Sequence, residues 1–127
     1  MLYTVETRKG LETVCVDLQK ALTSRKFGVM TVHNLKETMA KKGVEFDREC
    51  RIFEVCNPHQ ARKVLERMME VSTALPCRIF VFNEGNRVKI STIRPTAMLQ
   101  MLAVPDLQSV AEEVEEVMVE SMDEAAR

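Results

Sequence analysis

The sequence has no tryptophan and a single tyrosine among its 127 residues, so stacking platforms for single-stranded nucleic acid are scarce. Glycine and proline are equally thin, at four each, which with a substantial apolar content excludes collagen-like, low-complexity and disordered chains. No apolar run approaches the roughly 20 residues that a bilayer-spanning helix needs. Met1 to Arg8 is polar and alternating, and reads as a strand rather than a signal peptide. The four cysteines, Cys15, Cys50, Cys56 and Cys77, form no close CxxC pair. In a chain large enough to build its own core they are expected as reduced thiols, not as a disulfide framework. The expected setting is the cytoplasm, with no membrane partner.

Catalytic signatures are missing as well. There is no GxSxG, no HExxH and no Gly-rich phosphate loop. The only two histidines, His33 and His59, have no evident serine partner. Enzymatic activity is left without motif support.

What is present fits one domain over residues 1–127, with 46% apolar and 29% charged residues. Nine methionines and five phenylalanines make the expected core aliphatic and methionine-based. The net charge of −1 is unevenly spread: eight acidic residues and one basic residue follow Pro105, and the body before them is mildly basic. Lys and Arg fall on nearly every segment without clustering, which reads as solvated surface and not as a nucleic-acid interface.

Periodicity gives the element order. Leu2 to Thr7 reads as a strand. Leu11, Val14, Cys15, Leu18 and Leu22 recur at helical spacing, and that helix is expected to stop near Gly28. Phe27 to His33 is the second strand, Leu35 to Lys42 a short helix, and Cys50 to Cys56 the third strand. Asn57 and Pro58 then mark a helix start. Ile79 to Phe82 and Val88 to Ile93 make a hairpin around Asn83 to Asn86, and Pro95 opens another short helix. From Leu107 to Met122 runs an amphipathic stripe whose far face is Glu and Asp. The order β-α-β-(α)-β-α-β-β-α-α predicts an α+β two-layer sandwich, a ferredoxin-like variant with a five-stranded, mainly antiparallel sheet and helices on one face. Residues 1–105 form its core and 106–127 an acidic C-terminal helix, which either covers the sheet or docks on a second copy. If residues 50–56 and 77–82 flank a β-α-β crossover, Cys56 and Cys77 belong at opposite ends of the sheet.

Chemistry concentrates at Cys56-Asn57-Pro58-His59. A helix start favours anions and can lower the pKa of a nearby thiol. The plainer reading makes Cys56 a packed strand residue and Asn57 an ordinary cap. A metal site would need two close ligand pairs, and only Cys56 with His59 is present. Cys50 and Cys56, on one strand, are roughly 20 Å apart at the usual rise per residue. Neither metal nor cofactor is expected.

Cys56-Asn57-Pro58 followed by Ala61, then Leu75-Pro76-Cys77-Arg78-Ile79, resembles the domain of unknown function family 302. Lys26-Phe27-Gly28-Val29 and Ile90-Ser91-Thr92-Ile93-Arg94-Pro95-Thr96 fit the same resemblance. It covers roughly residues 2 to 102, which leaves the acidic helix as a feature particular to this chain. It implies a compact α/β sandwich that pairs as a homodimer, with Cys56, Asn57, Pro58, Pro76 and Cys77 among its motif positions and no established activity. Three functions stay open: a module binding a small anion or acidic ligand at the helix start, with Cys56, Asn57, Pro58 and Cys77 as its site; a thiol- or sulfur-handling protein using Cys56; and an interaction protein working through its acidic helix.

Overall fold

A computed structural model describes all residues, 1–127. The β-rich runs form strands β1 (Leu2–Thr7), β2 (Gly28–Asn34), β3 (Cys50–Cys56), β4 (Cys77–Glu84) and β5 (Arg87–Ile93). Between and after them lie α1 (Leu11–Ser24), α2 (Leu35–Lys41), α3 (Pro58–Arg67), α4 (Pro95–Met101) and α5 (Gln108–Ala126). Short 3-10 helices at Met69–Ala74 and Pro105–Leu107 complete the chain. The α+β two-layer sandwich with a five-stranded antiparallel sheet is the architecture that the periodicity predicts.

The strand order is β1-β5-β4-β3-β2, and every neighbouring pair is antiparallel. Strands β2 to β5 therefore form a meander, and α1 carries the chain from β1 at one edge to β2 at the other. The connection through α3 returns beside the strand it left, so it is not a parallel crossover. That overturns the placement of Cys56 and Cys77 at opposite sheet ends, because Val55 and Cys77 are register partners.

Alternation places Val5, Ile90, Val81, Ile79, Phe53 and Val55 on the sheet face that the helices cover. Onto it α1 lays Val14, Leu18 and Leu22, and α5 lays Met118, Met122 and Ala125; all join one buried cluster. Each large side chain so buried contributes on the order of 1.5–3 kcal/mol relative to exposure. Helix α1 ends at Ser24, earlier than its expected stop at Gly28. Lys26 takes a left-handed turn (φ 65) and Phe27 N–H donates back to the Leu22 carbonyl at 2.9 Å.

The apolar stripe of α5 folds onto its own sheet, so it is no longer a reason for dimerisation. Polar groups fix that docking: Tyr3 Oη donates to Asp123 Oδ1 at 2.6 Å, and Thr96 Oγ1 to Glu115 Oε1 at 2.7 Å. Lys9 Nζ donates to the Ala125 carbonyl at 2.8 Å. Part of the acidic face is thus internal anchorage. The opposite sheet face stays uncovered, with Phe80, Phe82 and Ile52 half-buried beside Glu54, whose Oε1 lies 3.5 Å from His33 Nε2 and pairs with Arg78 at 3.5 Å.

An apolar cavity as the candidate functional site

Where β3 gives way to α3, Asn57 has extended backbone and Pro58 occupies the first turn, where its missing N–H costs nothing. Asn57 Oδ1 accepts from His59 N–H at 3.0 Å and Gln60 N–H at 3.2 Å, while the Asn57 carbonyl accepts from Ala61 N–H at 2.9 Å. The cap thereby consumes the donors that an anion at this helix start would use.

Beyond the cap, α3 turns Val64 into a second, smaller core with Val71, Leu99, Val104, Leu107 and Ala111. The two cores do not close on each other. Between them lies a cavity of about 60 Å³ lined by 17 residues, 14 of them hydrophobic. The sheet end supplies Val55, Cys56 and Cys77; α3 supplies Gln60, Ala61 and Val64; the following 3-10 turn supplies Val71, Ala74 and Leu75. Its far wall is Pro95, Met98 and Leu99 of α4 with Val110, Ala111 and Val114 of α5. No Lys, Arg, Asp or Glu lines it. Several lining residues, among them Cys56, Gln60, Leu75 and Met98, are only half-buried, so the cavity is not sealed from the surface.

Of the residues singled out in the sequence, Cys56, Asn57 and Cys77 meet at this cavity; Pro58 does not line it and lies exposed at the surface of α3. Both thiols have raised pKa values. Burial pushes Cys56 up. Burial pushes Cys77 up to about 11, with the neighbouring Cys56 adding to the shift and Arg78 opposing it. At neutral pH both are protonated, which makes them poor nucleophiles. Cys50 pairs with Phe82 at the other end of β3. His59 is exposed, as is His33, and no group of three or more His, Cys, Asp or Glu side chains converges.

Gln60 was not singled out by sequence reasoning, nor were the apolar walls Ala74 and Met98; Ala61 and Leu75 entered only with the family resemblance, and Val110 only as part of the C-terminal stripe. One signal was present: Gln60 and Val64, four apart, share a helix face, so a polar side chain lies on the apolar side. The Met69–Ala74 turn, which forms one wall, has no periodicity to announce it.

Fold and cavity together define a small two-layer α+β domain organised around a helix-capped apolar recess. The chain belongs to the family described as domain of unknown function DUF302, whose model matches residues 3–125. That match runs through α5, so the acidic helix is part of the family's domain and not, as expected above, particular to this chain. The chain is also similar to a crystal structure of an uncharacterized conserved DUF302 protein from Bacillus stearothermophilus, at 31% identity and a TM-score of 0.93. The alignment covers 99% of this chain and 98% of that one. No curated protein matches the chain. No helix is long and apolar enough to cross a membrane.

Proposed function

We propose that this protein is a binding module that holds a small, largely apolar molecule in the cavity beside Cys56, Asn57 and Cys77. The single observation that carries this reading is the lining: a recess framed by six elements, apolar on nearly every side and free of charged residues. Ligand pockets are mostly apolar with a few placed polar groups. A small anion at the α3 start finds less support, since Asn57 takes up the first-turn donors and no cation lines the recess.

One observation favours a second, thiol-based reading: Cys56 and Cys77 lie at neighbouring strand ends and line the same cavity. Their raised pKa values weigh against it as nucleophilic chemistry. Four unpaired cysteines support a cytoplasmic, reducing setting. Homodimerisation now draws its support from the uncovered sheet face alone.

The test is titration of the full chain with thiophene, followed by two-dimensional NMR. Amide shifts confined to Ala61, Leu75, Val110 and their neighbours are expected. Ala61→Leu, which grows a side chain into the cavity, should abolish them while the fold persists. Shifts scattered over the surface, or unchanged in Ala61→Leu, would contradict the proposal.

A further inference from the structure

The stretch between β3 and β4 is only lightly attached to the rest of the molecule. No residue from Asn57 to Pro76 enters the main buried cluster. The stretch buries two side chains, Val64 and Val71, and both belong to the smaller cluster. Its backbone hydrogen bonds close within it, from Ala61 N–H onto the Asn57 carbonyl to Leu75 N–H onto the Ser72 carbonyl. Two side-chain bonds alone lead out of it, and both are exposed. Gln60 Nε2 donates to Glu113 Oε2 at 2.9 Å, and Arg67 Nε donates to Asp106 Oδ2. Its two ends lie side by side, because Val55 and Cys77 are register partners. The stretch is thus a flap hung from one sheet end, and Ala61, Val64, Val71 and Leu75 on it line the cavity.

Segments with few buried apolar side chains open locally at low free energy. Exposed ion pairs hold weakly, because water and salt screen them. Resting on the reading of the cavity as a binding site, we propose that α3 and the Met69–Ala74 turn form a lid over it. The lid is hinged where the chain leaves β3 and where it enters β4, and it is latched by the Gln60–Glu113 and Arg67–Asp106 contacts. Swinging it outward parts the smaller cluster and leaves the main core intact, so the recess opens to a ligand without unfolding of the domain. Arg67 and Glu113 do not line the cavity, so the latches can be changed without altering the surface that a ligand meets.

Cys77 reports the motion, since it shares the cavity with the lid, whereas Cys50 sits at the other end of β3. The native full chain is alkylated with N-ethylmaleimide and the labelling of each cysteine is followed by peptide mass mapping. Arg67→Gln and Glu113→Ala, both at exposed positions, are each expected to raise the Cys77 rate about two- to fivefold with Cys50 unchanged. The reversed pair, Arg67→Asp with Asp106→Arg, should return the rate to its starting value. A Cys77 that never labels, or whose rate ignores both single variants, would overturn the lid. So would a Cys77 rate that rises in step with Cys15 and Cys50, as global loosening would produce, or a reversed pair that stays fast. The readout needs no ligand: a responsive Cys77 without thiophene shifts at the cavity would keep the lid and sink the binding reading, and thiophene binding with an unresponsive Cys77 would do the converse.

Discussion

Cys77 begins β4 beside the end of β3, on the sheet face that the helices cover, and its burial has a consequence for stability. Its pKa is raised to about 11, as is that of Cys15, which burial pushes up while nearby Arg51 opposes and Glu12 adds. In the unfolded chain a thiol titrates near pH 8.5. Between there and about 11 the folded state binds more protons than the unfolded state, so stability falls as pH rises. The stabilisation is fully present below pH 8 and is lost as pH climbs through the folded values. Tyr3, raised by its hydrogen bond to Asp123, shifts stability in the same sense. Denaturant midpoints measured from pH 8 to 11 should decline, and Cys77→Val should flatten part of the decline without lowering the unfolding free energy at pH 7 by more than ~1.5 kcal/mol. A slope unchanged by Cys77→Val would show the thiol to be better solvated than its position implies. At this same scale Asn57 was legible in the sequence as a cap and is one. Its neighbour Gln60 was not legible as a wall residue, because its surroundings come from elements distant in the chain.

Elements were read well where propensity and period agree. The bounds of β1 and β3 coincide with their apolar, β-branched runs, Leu2–Thr7 and Cys50–Cys56. Strand β4 extends past Ile79–Phe82 at both ends because register with its neighbours, not propensity, recruits Cys77 and Glu84. The tight turn is only Gly85-Asn86, where Gly85 adopts φ 63, a conformation glycine takes without steric cost. The connection through α3 was misread because a strand, a helix and a strand do not by themselves say whether the second strand returns beside the first or crosses over. The C-terminal helix posed the same question of partner. Its stripe demanded cover, and the cover is the chain's own sheet. Cutting the chain after Pro105 would therefore expose the sheet face under Met118, Met122 and Ala125, which are fully buried. The truncated chain is expected to lose cooperative thermal unfolding, since buried Met→Ala changes alone cost about 2–5 kcal/mol each against a domain stability of about 5–15 kcal/mol. A truncated chain that melts cooperatively near the full-length temperature would mean that α5 is an appendage.

At the scale of the whole molecule, the fold places its functional candidate between two cores. The main cluster fills the space between the sheet and the α1–α5 layer. The smaller cluster gathers α3, α4 and the start of α5 at one sheet end. Helix α5 contributes to both, so it sets the gap between them, and Cys56, Asn57 and Cys77 fall at that gap. Protein interiors normally leave few voids larger than a water molecule. The recess of about 60 Å³ beside Cys56, Asn57 and Cys77 is the observation on which the proposed binding role rests.

The most direct measurement is a crystal of the full chain under xenon pressure, since xenon enters apolar cavities and ordered water occupies polar ones. The account predicts a xenon atom between Ala61, Val64, Leu75 and Val110, and its loss in Ala61→Leu. A cavity filled by an ordered water network, with xenon excluded or bound only elsewhere, would contradict it.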